Sequence, residues 1–422
     1  MKVEKKAYLS ASIGNVLEFY DFALYGFYAK IISELFFPLD HPVNALLLTY
    51  GVFAVGFLAR PLGAIIFGII GDRFERKTSL SLSLIGIAFA TTAMGLLPSY
   101  SNWGLLSPIS LTILRIIQGI CIGGEYSNSL VFVSEHLEKY RAKFPAFTTG
   151  IVSAMGVMGW FIASLMGTLF NGSNSLLSWR IPFILGSIVG VIGYYIRKHT
   201  EDAYEKSRNF TPFVKGVQEF MHFPKHCFEV MAIGILMGAL FYGQFIFSYS
   251  FLPLITNLSS TQVSKLVSVG IFAYMIFLPI SGWISDKLGH KKMILFSCIL
   301  SFFLSPLFFY LSASGVQLNI LFSQVLVAFT LAALMSPGTY YMSLVFPSHI
   351  RCAATSINYN LGATLFGGTA PTFGLILYQY FKDPLAPAIF LSIAALIAGL
   401  CLRSINLTCK AQKKPIFTKN SS

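Results

Sequence analysis

Charge is the commodity this sequence has least of. Only 11% of its 422 residues are Asp, Glu, Lys or Arg, while 55% are hydrophobic and the mean hydropathy is +0.69. Soluble domains carry roughly 25% charged residues, so this composition excludes a soluble globular class and points to a chain solvated by lipid. Acids are the scarcer sign, 17 against 30 bases, which leaves a formal charge of +13. The bases lie in short clusters between apolar runs, so membrane topology accounts for them and nucleic-acid binding is excluded. Cysteine is sparse as well. The six (Cys121, Cys227, Cys298, Cys352, Cys401, Cys409) show no CxxC pairing, which argues against a disulfide framework or a metal site. No GxxxxGK[ST] is present, so a primary nucleotide-driven pump is excluded, and no HExxH, so a membrane zinc protease is too. Nothing in the residues calls for a cofactor. No re-entrant filter segment or charge ring suggests a channel. The start, MKVEKK, leads into an apolar run that reaches about Phe37 without a small-residue cleavage site, so it reads as a retained first helix rather than a signal peptide.

What is present is apolar length. Runs long enough to cross a bilayer fall near 7–36, 44–71, 79–98, 104–133, 146–170 and 180–197, then near 228–256, 264–285, 293–312, 317–346, 352–380 and 385–404. The pattern predicts an all-α integral membrane protein of 12 transmembrane helices in two six-helix bundles. Residues 1–198 form the first bundle, 199–226 a polar cytoplasmic linker, 227–405 the second bundle and 406–422 a short basic tail. With the N-terminus inside, 24 of the 30 Lys and Arg fall on the cytoplasmic side. Three (Arg180, Lys265, Lys382) fall outside and three (Lys30, Arg60, Arg115) within spans. That bias places both termini in the cytoplasm of a multi-pass cell (inner) membrane protein.

The halves share a signal. GIIGDRFERK at 68–77 and GWISDKLGHKK at 282–292 each follow the second span of their half, a duplication expected of a six-plus-six transporter. These loops resemble those of the major facilitator superfamily. GNVLEFYDFALYG (14–26), GFLARPLGAIIFGIIGDR (56–73), RIIQGICIGGEYSN (115–128) and NLGATLFGGTAP (360–371) resemble signatures of its metabolite:proton symporter branch, and the likeness covers essentially the whole chain. One departure is Glu75, where the first loop of the family usually has Gly; the second copy keeps Gly289. The resemblance implies alternating access, with Asp72, Arg73, Arg76, Lys77, Asp286 and Lys287 as gate and topology residues. Asp72 can also cap the helix that follows it.

Five ionisable residues lie deep in spans, all in the first half: Glu18, Asp21, Arg60, Arg115 and Glu125. A carboxylate at the bilayer centre costs about 2.5–3.5 kcal/mol on insertion scales, so such residues need partners or a function. Glu18 and Asp21, spaced i, i+3, share a helix face that Asn15 and Tyr25 extend. Such acids suit proton coupling; permanent pairing with Arg60 or Arg115 is the competing structural reading. Arg60 lies about 18 Å before Asp72 along a helix, near mid-membrane, and Arg115 lies closer to the outside. Gln118 and Glu125, seven residues apart, share a face of the fourth helix. An arginine here can tune a carboxyl or grip a substrate carboxylate through a two-pronged fork.

Between Val230 and Leu400 no charged residue falls inside a span except Lys265 at an edge, so the second half is expected to give shape and neutral contacts. The candidates there are Tyr242, Gln244, Tyr249, Gln324, Tyr340, Tyr341, Asn358 and Asn360. The expected function is secondary active uptake of a small polar solute, a proline or glycine betaine type of zwitterion, with a proton as coupling ion; choosing the proton over sodium rests on the resemblance alone. A proton-coupled organic-acid permease (citrate, 2-oxoglutarate or shikimate type) is the alternative. A non-transporting sensor with a carrier fold is the second. The partners expected are a small-molecule solute and the lipid bilayer, with the monomer as working unit and no enzymatic activity.

Overall fold

The computed structural model describes residues 15–16, 18–21, 23–38, 41–73, 76–123, 129–131, 133, 144–170, 178–198, 219, 221–347 and 350–403. Within them the protein is all-helical. Helix α1 takes in helical residues 15–16, 18–21 and 23–27 and Ala29–Phe36; α2 runs Pro42–Leu58 and on through Arg60–Arg73; α3 is Arg76–Leu96. Next come α4 (Leu106–Ile122), α5 (Pro145–Phe170) and α6 (Arg180–Lys198). The second half holds α7 (Pro224–Ile255), α8 (Ser260–Leu288), α9 (His290–Ala313), α10 (Gln317–Met342), α11 (Arg351–Phe381) and α12 (Pro387–Leu402).

Eight of these helices among the described residues are long and apolar enough to cross a membrane. Their ends are written in the sequence. Proline opens α2, α7 and α12, where the missing N–H costs nothing. Ser259 and Gln262 form a reciprocal capping box at the start of α8. Gly289 separates α8 from α9 at φ +101°, a conformation that strains any side-chain-bearing residue, so the glycine of the second loop motif has a structural reason. Its counterpart Glu75 lies outside the described residues.

Leu58, Phe89, Phe303 and Leu318 are exposed on the outside, a surface that only lipid solvates well. α7 is different: 94% of its apolar stretch is buried, against 39% for α9. It packs on α11 and α12 in the centre, while α9 covers α10 and α12 from outside. The halves meet along α5 against α8 and α2 against α11. In the first of these seams, a methyl on Gly282 would lie 2.2 Å from the Ala146 carbonyl oxygen, and one on Gly150 2.7 Å from that of Leu278. Small residues therefore set how closely the two bundles approach there.

Two helices contain a π turn, Phe241–Ile246 in α7 and Ala363–Gly368 in α11. These wide turns face each other in the middle of the second half and rotate the side chains beyond them relative to a regular helix. Such turns often mark functional positions.

Candidate transport site

The site is built on the crossing of α2 and α4. A methyl on Gly63 would fall 1.8 Å from the Ile120 carbonyl oxygen, and one on Gly119 would fall 1.9 Å from that of Gly56. Backbone therefore meets backbone, and the long side chains nearest the crossing, Arg60 and Arg115, extend into the interior. Arg115 is completely buried. Its guanidinium lies 4.0 Å from the Tyr25 ring centre and 5.2 Å from that of Phe53, an arrangement in which ring quadrupoles help to replace lost hydration. Its Nη1 donates to Gln118 Oε1. Gln118 Nε2 in turn donates to Thr91 Oγ1 at 2.7 Å, and the Thr91 side chain is hydrogen-bonded to the Asp21 carboxylate. A polar chain thus runs Arg115–Gln118–Thr91–Asp21 through the first bundle.

Arg60 lies one turn beyond Phe57, its guanidinium 4.1 Å from that ring centre. It is hydrogen-bonded to the Tyr242 side chain of α7. The π turn of α7 presents Tyr242, whose ring contacts Phe53 and Phe57 edge-on at 5.6 and 4.9 Å. Beside these residues is a central cavity of about 30 Å³, lined by Glu18, Arg60, Trp160, Phe241, Tyr242 and Asn360 among others. That is room for a water or two and for no organic solute. Aromatic faces wall it: Phe19 stacks on Trp160 at 4.4 Å, and Trp160 on Phe241 at 3.5 Å.

Contacts between the halves lie on both sides of this cavity. Where α1 ends and α2 begins, Tyr50 and Ser250 share a hydrogen bond, and the Phe27 and Tyr249 rings meet at 4.3 Å. At the opposite end, the Asp286 carboxylate accepts from the backbone N–H groups of Ala146 and Phe147 at 3.1 and 2.9 Å. It caps the start of α5, a helix of the other half, and complements the positive end of its dipole. Asn360 of α11 also donates to the Gly123 carbonyl at 3.0 Å.

The structure gathers Glu18, Tyr25, Arg60, Arg115 and Gln118 in one buried zone. It gives different surroundings to the two acids expected to share a helix face. Glu18 lines the cavity, whereas Asp21 turns into the first bundle, bonded to Thr91, where a methyl on Gly186 of α6 would come within 2.8 Å of its Oδ1. The i, i+3 spacing leaves about 60° between two side chains, enough to give them different neighbours. Asn15 is buried and accepts from Ser129 at 2.8 Å. Lys287 lies 3.5 Å over its own helix's Trp283 ring, so it makes a local cation–π contact there. Glu125 and the side chains of Asp72, Arg73, Arg76 and Lys77 lie outside the described residues.

One expectation needs correction. Glu229 in α7 is 1% exposed, so deep acids are not confined to the first half. It accepts from the Tyr341 hydroxyl of α10 and pairs with His226 Nδ1 at 3.0 Å. The sequence signal was available, because Glu229 lies inside the 228–256 apolar run. Arg351 at the start of α11 is likewise buried, donating from Nε to the Phe346 carbonyl at 3.0 Å. Trp160 and Phe241 were missed for another reason: with 15% aromatics, only packing tells which rings face inward. Of the second-half candidates, Tyr242 and Asn360 reach the cavity, while Tyr341 serves Glu229 and Asn358 bonds the Ala354 carbonyl.

A buried charged centre between two closed seams, in a bundle exposed to lipid, defines a membrane transporter. Sequence comparison agrees: the family model described as Major Facilitator Superfamily matches residues 230–420, and that described as Sugar (and other) transporter matches residues 7–203. Proline/betaine transporters of Escherichia coli (strain K12) and Salmonella typhimurium (strain LT2) are each 30% identical over 421 residues, covering 94% of this chain and 83% of theirs. The fold is that of the E. coli xylose transporter XylE in a partially occluded inward-open conformation, with a TM-score of 0.68 at 17% identity over 96% of this chain and 97% of that one. The chain belongs to the major facilitator superfamily and is a multi-pass protein of the cell membrane.

Proposed function

We propose that this protein takes up a small zwitterion of the proline or glycine betaine type, coupled to protons, by alternating access. The observation that carries this reading is that Arg60 and Glu18 face one closed cavity walled by the rings of Trp160 and Phe241. Arg60 can hold a carboxylate through a two-pronged fork. The aromatic faces and Glu18 suit the cationic end, since an ammonium over an indole gains about 0.5–2 kcal/mol. The names of the two relatives point to the same substrates.

Because about 30 Å³ admits no such solute, the described arrangement fits an occluded stage of the cycle. Glu18 is the group we assign to proton exchange, since it shares the cavity with the substrate. Arg115, held by Gln118 and the rings of Tyr25 and Phe53, sets the local charge. In this reading all 12 helices span the membrane as two six-helix bundles, 1–198 and 227–405, joined by the 199–226 linker. The excess of Lys and Arg on one side, 24 of 30, puts both termini in the cytoplasm. The halves of one chain complete the site, so the monomer is the working unit.

The test is uptake of labelled proline, glycine betaine, citrate and 2-oxoglutarate into proteoliposomes, with and without an imposed pH gradient. Gradient-driven uptake of proline or betaine is expected. Uptake of the acids alone would move the substrate to the organic-acid class, and no uptake of any kind would favour a sensor.

A further inference from the structure

A second cavity, of about 430 Å³, lies at the end of the molecule where α1, α2 and α7 finish or begin. Its walls include Lys30, Ser33 and Glu34 from α1, Leu46 from α2, and Ser250 and Pro253 from α7. It is large enough for a proline-sized solute, which the central cavity is not.

Three features bear on its ligand. Lys30 and Glu34 are spaced i, i+4, so their side chains leave one face of α1 about 5–6 Å apart at Cβ. Among the described residues no ion pair joins the two. The rest of the lining is mainly apolar, with Phe37, Leu46, Pro253 and Leu254, while the hydroxyls of Ser33 and Ser250 are both buried. A zwitterion would satisfy both charges at once, its carboxylate at Lys30 and its cationic end at Glu34, over an apolar floor. A dianion would meet Glu34, and a simple cation would meet Lys30.

The position is as informative as the chemistry. Ser250, in the wall of this pocket, is the residue bonded to Tyr50 across the halves. From there inward, Tyr50 meets the Phe247 ring at 6.3 Å, and Phe53 meets Tyr242, the partner of Arg60. These ring contacts lie between the pocket and the central cavity. We propose that the pocket is an entry site where a small zwitterionic solute is held, by Lys30 and Glu34, before the α1/α2–α7 contact opens. The proposal rests on the transport reading given above, and it adds a binding step and its selectivity.

The experiment uses the full chain in oriented vesicles and measures entry from the Lys30 face and exit from the other, with labelled proline and glycine betaine. Lys30→Gln and Glu34→Gln are each expected to raise the KM for entry about 1.5- to 5-fold, a range suited to exposed charges. They should leave kcat and the KM for exit unchanged. The charge swap Lys30→Glu with Glu34→Lys should recover much of the entry KM, because a zwitterion can bind reversed. An unmoved entry KM would overturn the site, as would equal rises for entry and exit, which would mark a structural effect. If the wild-type protein carries neither proline nor betaine, the substrate reading fails and takes this site with it. If wild-type transport is intact and the variants are silent, the entry site alone fails.

Discussion

The buried charges of the first bundle lie at the centre of the molecule, and those of the second lie at one end. Arg60, Arg115, Glu18 and Asp21 sit in the middle of α1, α2 and α4; Gln118 and Thr91 link Arg115 to Asp21, while Arg60 and Glu18 face the cavity. In the second bundle Glu229, His226 and Arg351 lie where α7 and α11 begin, and Asp286 where α8 ends. At the height of the cavity that bundle offers rings, an amide and two π turns. The two halves thus differ. A buried charge costs several kcal/mol to desolvate, so it survives only where it has work or partners. The central charges fit binding and coupling, and the terminal ones fit closure and bundle packing.

The largest effect expected concerns the central charges. Arg60→Ala breaks a buried charge cluster, a change worth about 3–5 kcal/mol, so solute uptake should fall at least about 100-fold. Arg60→Lys keeps the charge but loses the planar fork and should fall roughly 10-fold. Equal activity of wild type and Arg60→Ala would remove the central cation from the mechanism.

Glu18→Gln should abolish accumulation driven by a pH gradient while leaving downhill solute exchange measurable, because the rings of Trp160 and Phe241 still face the cationic end. Asp21→Asn should leave coupling in place, because Asp21 faces Thr91 and not the cavity. If Asp21→Asn uncouples as fully as Glu18→Gln, the division between the two acids is wrong.

At the seam, Asp286→Ala removes the acceptor for two backbone N–H groups of α5. Losing such a cap costs about 0.5–2 kcal/mol, and one or two kcal/mol shifts a two-state ratio by a factor of about 5–30. Reaction of a cysteine placed at Ser336 with an impermeant maleimide reports that opening. Labelling as slow as in the Asp286 parent would show that the cap does not hold the halves together.

The smallest effect belongs to the second bundle's acid. Tyr341→Phe leaves Glu229 its His226 contact and removes one hydrogen bond, about 1–2 kcal/mol. The expected outcome is a Tm lower by roughly 1–2 °C with uptake within about twofold. A loss of coupled uptake without a Tm change would instead make Glu229 part of the transport path and erase the contrast between the halves.

Much of this was legible in the chain. Apolar run lengths located the helices because a span must satisfy its backbone internally, and only a long helix does so. Arg60, Arg115, Glu18 and Gln118 stood out because a polar residue in such a run is conspicuous. The same rule would have found Glu229, had the count begun one residue earlier. Less was legible where identity carries no contrast. Forty Phe and twenty Tyr hide the few that wall the cavity, and no spacing rule reveals that Trp160 stacks on Phe241 across the two halves. Nor could the α8–α9 loop show that Asp286 caps α5 instead of the helix next to it, since that contact joins residues about 140 positions apart.

The sequence by itself determined the membrane class, the long apolar helices, the prolines and glycine that bound them at Pro42, Pro224 and Gly289, and which side chains had to be accounted for in lipid. These follow from local composition and from the price of exposing charge or backbone to hydrocarbon. Tertiary structure alone decided that Glu18 faces the cavity and Asp21 does not, that Tyr242 partners Arg60, and that the halves meet on both sides of the cavity. Those outcomes depend on how close α2 comes to α4 and α5 to α8, a matter of packing between surfaces far apart in the chain.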